Sequence, residues 1–328
     1  MNENQGKKSC LIGEGLSRVS RVYRGGLTLE ISYKTYSLNF MKILFVTSLV
    51  FPLSGCGEAN REPQGIISIG GDITEIIYAL GKIDQVVGRD TTSFYPSSVT
   101  NLPDIGYVRQ LGAEGLLSLS PDMIIASSES GPPEVIEQIR QTGIPFVMTE
   151  EGFNLPALLS RIDTIGRTLG ADEEAEQLSQ SIIEKMQLVN EKLAKVSEKP
   201  KVLFLMSASD GSPMAAGRQT AADSIIELAE GENIFGSQSG YRPYSYEALA
   251  AAEPDVIMMM EHSLATLGGI EAIQSHPALS MTPAAISKNI ISIDGLFLLG
   301  FGPRLPEAVA YVADRFHPGL GATDSIGK

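Results

Sequence analysis

The chain has 328 residues, 43% of them hydrophobic, with 33 Gly and 18 Pro, a length that suits two lobes of about 100–150 residues each. Its 39 acidic against 25 basic residues leave a net charge of −14, a field that repels phosphate backbones and anionic lipid and excludes nucleic acid as the main partner. Two cysteines (Cys10, Cys56) and three histidines (His262, His276, His317) build neither a disulfide framework nor a Cys-rich zinc site nor a multi-His metal centre.

Residues 1–40 are basic, rich in Ser and Tyr, and without an apolar period. Then come Met41-Lys42, an apolar stretch from Ile43 to Leu53, and Leu53-Ser54-Gly55-Cys56. A short positive start, an apolar core and small residues before a Cys have the layout of a secretory signal. Met41 is therefore expected to be the start, residues 1–40 upstream sequence, and residues 41–56 the signal. The LSGC run resembles a bacterial lipobox, which implies acylation of Cys56 and a lipid anchor at the extracytoplasmic, periplasmic side of the membrane. An apolar patch with one buried Cys is the plain alternative. Without residues 1–55 the chain keeps 18 basic and 36 acidic residues. Residues 57–64 read as a polar tether. No apolar run reaches the ~18 residues of a membrane span.

From residue 65 onward, short apolar runs alternate with helical periods, the grammar of an α/β fold with two Rossmann-like lobes and parallel central sheets. The first lobe, 65–152, has expected strands at Ile66–Ile69, Gln85–Gly88, Met123–Ala126 and Pro145–Met148. Helices are expected at Ile73–Leu80, Ala113–Leu119 and Pro133–Thr142, stopped by Gly81, Pro121 and Gly143. In the connecting region, 153–199, residues Leu155 to Leu169 look helical, with Gly166 and Gly170 as interruptions. Asp172 to Ser197 then contains neither Gly nor Pro. Its apolar positions Leu178, Ile182, Met186, Val189, Leu193 and Val196 fall on one helical face, predicting one long, stiff connecting helix of about 39 Å. The second lobe, 200–328, has expected strands at Val202–Met206, Val256–Met260 and Ile290–Ile293, and helices at Ala222–Ala229, Tyr246–Ala252 and Pro306–Phe316.

The two halves echo each other. Glu114, Leu116, Pro121, Asp122 and Ile124 recur at the same spacing as Glu247, Leu249, Pro254, Asp255 and Ile257. Five residues before each Glu stands an arginine, Arg109 or Arg242, with a tyrosine beside it, Tyr107 or Tyr241. Generic α/β punctuation can produce such a repeat. If it reflects structure, both Tyr/Arg segments lie at the carboxyl ends of their sheets, where open α/β folds bind ligands.

Five segments now appear in order: IISIGGDITEIIYALG (Ile66–Gly81), DIGYVRQLGAEG (Asp104–Gly115), PMAAGRQTAAD (Pro213–Asp223), YRPYS (Tyr241–Ser245) and LLGFGPRLPEA (Leu298–Ala308). Together they resemble the haem-binding substrate-binding proteins of bacterial ABC importers, within a superfamily that also binds siderophores and cobalamin across two lobes joined by a rigid helix. The resemblance implies ferric b-type haem as transported cargo, taken up for its iron, an ABC permease with its ATPase subunits as partner, and an outer-membrane haem receptor system upstream.

In that family the iron ligand is the tyrosine of a Gly-Tyr-x-Arg loop, here Gly106-Tyr107-Val108-Arg109. The chemistry agrees: a phenol with an ordinary pKa near 10 binds iron poorly as the neutral form, and a neighbouring guanidinium or Fe(III) favours the phenolate. A half-buried Tyr beside a surface Arg is the plain alternative. Haem carboxylates need local cations in so acidic a chain, for which Arg242, Arg218 and Arg304 are candidates, with Tyr241 and Tyr244 beside them. Tyr95 is a candidate wall residue and His262 a strand-end residue that could approach the ligand. His276 and His317, each preceding a Pro at a helix end, read as capping or surface residues. The Met206–Asp210 loop lacks the histidine some relatives use as a second ligand, so one haem is expected, not a pair. For permease docking the superfamily uses one acidic residue per lobe, assigned to Glu75 and to Glu227, with Asp223 as fallback.

No Gly-x-Ser-x-Gly elbow, phosphate-binding GKS/GKT loop or HExxH is present, so an enzyme is not expected. The rival readings are a ferric-siderophore or cobalamin binder of the same fold and, from another class, a periplasmic α/β enzyme.

Overall fold

Ile66–Ile69 is a run of four fully buried residues, the signature of a strand covered on both faces. It forms β1 in a computed structural model that describes residues 64–208 and 213–326. The signal segment, Cys56 and nearly all of the expected tether lie outside the described residues, as does the tip of the loop after Ala208. All described residues fall in one unit, Glu58–Lys328.

After β1 come α1 (Gly71–Ala79), β2 (Val86–Arg89), α2 (Ala113–Ser118), β3 (Met123–Ala126), α3 (Pro133–Arg140) and β4 (Phe146–Met148). The strands lie in the order β2-β1-β3-β4, all parallel, with Ile66 opposite Met123 and Ile69 opposite Ala126. These are the expected first-lobe strands, adjusted only at their ends.

The connecting region forms both expected helices, and the long one is the second. Helix α4 (Leu155–Thr168) is capped by Asn154, whose Oδ1 accepts from Ala157 N at 2.9 Å. Helix α5 (Asp172–Leu193) spans 22 residues, about 33 Å, and ends short of the expected Ser197. Gly166 does not interrupt α4: a Cβ there would stand 2.4 Å from that of Ala175, so the glycine lets α4 and α5 meet closely. The buried face of α5 is the predicted stripe, Ile182, Met186, Val189 and Leu193.

The second lobe runs β5 (Lys201–Ser207), β6 (Met214–Ala216), α6 (Ala221–Leu228), β7 (Glu232–Asn233), β8 (Tyr241–Pro243), α7 (Tyr246–Ala251), β9 (Val256–Met260), α8 (Glu261–Leu267), α9 (Ile270–Ser275), α10 (Pro283–Ile286), β10 (Ile290–Ile293), α11 (Gly295–Leu299) and α12 (Leu305–Phe316). The sheet order is β10-β9-β5-β6-β8, and it is mixed: β10, β9 and β5 are parallel as expected, while β6 and β8 form an antiparallel ribbon on one edge. That ribbon carries Tyr241 and Arg242. The helix–strand echo is structural, since α2 leads into β3 beside β1 and α7 leads into β9 beside β5. The Tyr/Arg half of the echo is not: Tyr107 lies in an irregular loop and Tyr241 in a strand.

One apolar core joins both lobes, running from Ile66, Ile73 and Ile77 through Ile165, Ile182 and Val189 to Phe204, Val256 and Val309. Each lobe keeps a smaller core on its other sheet face. Polar contacts reinforce the junction. The mostly buried Arg161 of α4 lies 3.3 Å from Asp72 and donates to Phe301 O at 2.7 Å and Gly152 O at 2.9 Å. Gly71, at the start of α1, faces Leu296 of α11 so closely that a Cβ would meet its Cδ1 at 2.4 Å and Thr92 O at 2.8 Å.

Gly71→Ala is therefore expected to cost about 1–3 kcal/mol of stability in denaturant unfolding, through overpacking where the lobes touch. Burial raises the Asp72 carboxyl from 3.8 to about 6, with Arg161 opposing the shift. The folded protein thus holds this proton more tightly than the unfolded chain, and ionising Asp72 removes stability as pH rises from about 4 to about 6. Asp72→Asn has no proton to lose, so its stability relative to wild type should rise across that window by on the order of 2 kcal/mol and then level off. A difference that stays flat from pH 4 to 7 would count against this assignment.

Candidate ligand site

The loop bearing Tyr107 is built on backbone and buried side chains. Arg89, at the end of β2, takes Ile105 N at its carbonyl (2.9 Å) and pairs through its guanidinium with Asp104 at 3.0 Å. Asp104 in turn accepts from Gly106 N at 2.8 Å, and Gly106 turns the chain at φ 100°. Beyond it, Gly131 N donates to Val108 O and Leu111 N to Gly131 O, both at 2.9 Å, tying the loop to the segment after β3. Val108 and Leu111 are buried, which turns Tyr107 and Arg109 outward together.

Asp90 pins the neighbouring loop. Its carboxylate accepts from Gly70 N (2.9 Å), Thr92 N (2.9 Å) and Ser93 Oγ (2.6 Å), and Ser93 continues to Thr74 and Ser68 through hydroxyl contacts of 2.7 and 2.6 Å. Thr91 N donates to Gly106 O at 2.9 Å, so this network also supports the Tyr107 loop.

At the surface of that loop Arg109 Nη1 donates to Tyr107 Oη at 2.7 Å, and Tyr107 is 38% exposed. The other terminal nitrogen of Arg109 lies 2.7 Å from Glu129 Oε1. Burial works against the Arg109 charge, but Glu129 and Tyr107 outweigh it and hold its pKa above the ordinary value. Glu129 was not among the sequence candidates. It sits in the turn after β3, at the carboxyl end of a parallel strand, and that position was the signal that could have found it.

Tyr241, on β8 of the second lobe, feels the charges of this group. Burial pushes its phenol up to about 12, against hydrogen bonds with Thr220 and the Ala222 backbone. Glu129 adds to the rise, and Arg109 opposes it. Tyr241 is thus a neutral phenol within electrostatic reach of Arg109 and Glu129. Arg242, on the same strand, is exposed and donates from Nε to Ser239 O at 3.0 Å. Arg218 is exposed where the ribbon continues past β6, its backbone bridged to Ser239. Neither arginine engages a carboxylate among the described residues. Tyr244 stacks its ring on Phe235, with the centroids 3.9 Å apart.

Three other candidates belong to a different device. Arg304 forms a two-donor pair with Glu75, Nε to Oε2 at 3.0 Å and Nη2 to Oε1. Its guanidinium lies 3.7 Å from the Tyr95 ring centre and 5.1 Å from that of Phe297. Arg304 is thus committed to a clamp between lobes and is not a free cation, and Tyr95 serves as its platform. Glu75 is 4% exposed, so it is not a surface carboxylate available to a permease. Burial pushes its carboxyl up, and Arg304 pulls it back.

Glu227 is exposed on α6, whereas Asp223 is buried, accepting from Asn233 Nδ2 at 2.7 Å and Gln219 N at 3.1 Å. Glu114 and Glu247, the echoed pair, are both exposed in the first turns of α2 and α7. His262 is exposed at the start of α8, beside Gly295. His276 and His317 behave as helix-end residues: His276 Nδ1 accepts from Ala278 N at 3.2 Å, and His317 Nε2 lies 3.1 Å from Ala229 O. Met258 and Met259 are fully buried core.

Comparison with known proteins bears on this geometry. Residues 66–295 match the family described as periplasmic binding protein. The chain is similar to the periplasmic heme-binding protein RhuT from Roseiflexus sp. RS-1, at 35% identity and a TM-score of 0.74, covering 80% of this chain and 99% of that one. It is also similar to the periplasmic heme-binding protein HutB of Vibrio cholerae, at 37% identity and a TM-score of 0.69, covering 78% and 99%. Among curated proteins, it is 27% identical to the ABC transporter substrate-binding lipoprotein YvrC of Bacillus subtilis (82% of this chain, 87% of that one) and 24% identical to the vitamin B12-binding protein of Vibrio campbellii (69% and 81%).

Proposed function

The chain belongs to the periplasmic binding protein family, and from that premise we propose that it captures one ferric haem outside the cytoplasm and delivers it to the permease of an ABC importer for iron uptake. It is a substrate-binding protein and not an enzyme. The observation that carries the haem reading is the exposed Tyr107 phenol, whose oxygen accepts from Arg109 at 2.7 Å. A guanidinium there is a charged donor to the phenol oxygen, and anionic oxygen is the donor that Fe(III) prefers. The two haem carboxylates fall to Arg242 and Arg218, cations with no carboxylate partner among the described residues. Acylation of Cys56 would hold the protein at the membrane near its permease.

The second reading is cobalamin, favoured by the vitamin B12-binding relatives. A corrinoid brings its own axial groups and does not need a phenolate, so the two cargoes separate on Tyr107. Hemin titrated into wild type should give a ferric–phenolate charge-transfer band. Tyr107→Phe should abolish it and weaken binding far more than loss of a buried hydroxyl explains. Arg109→Ala should retain haem with weakened binding, and Tyr95→Phe should do little. An unchanged hemin spectrum in Tyr107→Phe, or tight cobalamin binding with none of hemin, would sink the haem reading.

Docking to the permease is assigned to an acidic residue on each lobe. With Glu75 buried, the exposed and structurally equivalent pair is Glu114 and Glu247, and Glu227 is a further exposed carboxylate on the second lobe. Charge reversal at Glu114 and Glu247 together should cripple uptake in cells while leaving hemin affinity within about twofold, as expected of rim charges far from the ligand. Normal uptake by that double variant would remove the assignment and return attention to Glu227.

A further inference from the structure

Arg109 has two claimants. One terminal nitrogen serves the Tyr107 oxygen and the other the Glu129 carboxylate, each at 2.7 Å. Arginine recognises carboxylate and phosphate through paired donors and an unneutralised charge. Arg109 offers less of both, because one donor on each terminal nitrogen is taken and the Glu129 carboxylate offsets part of the charge. Glu129 pairs with Arg109, and its charge also acts on Asp72 of α1 and Tyr241 of β8. Asp72 is held by Arg161, and Tyr241 is a neutral phenol, so neither draws Glu129 away from Arg109. Arg218 and Arg242 on the second lobe have no such neutralising partner among the described residues.

We propose that Glu129 is a specificity-determining residue: by neutralising Arg109 it reserves that guanidinium for the Tyr107 oxygen, denies the first-lobe wall to anions, and directs the cargo's carboxylates to the β6–β8 ribbon. The proposal rests on Tyr107 as the iron ligand. Discrimination here is achieved by withholding a favourable contact from the wrong ligand, and not only by adding one for the right ligand. A polycarboxylate chelate, which would bridge cations on both lobes, is refused on one side. A flat metalloporphyrin, with its carboxylates on one edge, is accepted.

The test uses the full chain with hemin, hemin dimethyl ester and metal-free citrate as probes, followed by absorbance and calorimetry. Wild type should show the ferric–phenolate band and negligible citrate binding. Glu129→Gln keeps an acceptor for Arg109 and removes the charge. It should retain the band, bind citrate at least tenfold more tightly, and raise the preference for hemin over its ester. Glu129→Asp, which keeps the charge, should behave as wild type. Glu134→Gln on α3, an exposed site, controls for net charge alone. Unchanged citrate affinity and hemin-to-ester ratio in Glu129→Gln would overturn the proposal, as would an equal gain in Glu134→Gln. A wild type without the phenolate band overturns the iron-ligand reading instead, and the citrate arm still decides whether Glu129 screens Arg109 from anions.

Discussion

Each sheet has an apolar face to hide, and both lobes hide one of theirs in the same core, on the same pair of helices. Ile66 and Ile73 from the first lobe and Phe204, Val256 and Val309 from the second share that core with Ile182, Met186 and Val189 of α5. Burial of this kind is worth roughly 25 cal/mol per Å² of apolar surface, so opening the lobes widely would expose surface that nothing else covers. The relation between Tyr107 on one lobe and Tyr241 on the other is thereby set by the connector, and the Tyr107 loop and the β8 edge strand need to supply only local adjustment.

Charge is sorted on this frame. An arginine at the junction must be matched, since an unpaired buried cation is costly, and Arg161 and Arg304 are matched by Asp72 and Glu75 together with backbone carbonyls and aromatic rings. Arg89 is spent on Asp104 and Arg109 on Glu129. What is left near the second-lobe ribbon is Arg218 and Arg242. In a chain of net charge −14, the placement of a few unmatched cations decides where an anionic group can settle, because the overall field opposes it everywhere else.

The same sorting separates residues that look alike. Arg304 and Arg242 both follow short motifs near the second lobe's turns, yet one is clamped and stacked while the other projects from an edge strand. Glu75 and Glu114 both lie in first-lobe helices after glycines, yet α1 is pressed against the second lobe and α2 is not. A side chain's availability follows from which helix face the shared core consumes.

Most of the fold was legible in the chain itself. Continuous apolar runs such as IISI and VIMMM mark strands buried on both faces, the α5 stripe has a helical period, and Gly and Pro mark the ends, all of them local signals. The Tyr107–Arg109 pair was equally legible, because residues two apart in a tight loop meet whenever the residue between them is buried. The β6–β8 ribbon was not, since three-residue strands carry too little pattern to read. Glu129 beside Arg109, Arg304 on Glu75 and Arg161 on Phe301 O were decided only by tertiary structure. Each joins residues far apart in the chain, and no local period records which carboxylate or carbonyl a long, flexible arginine will reach.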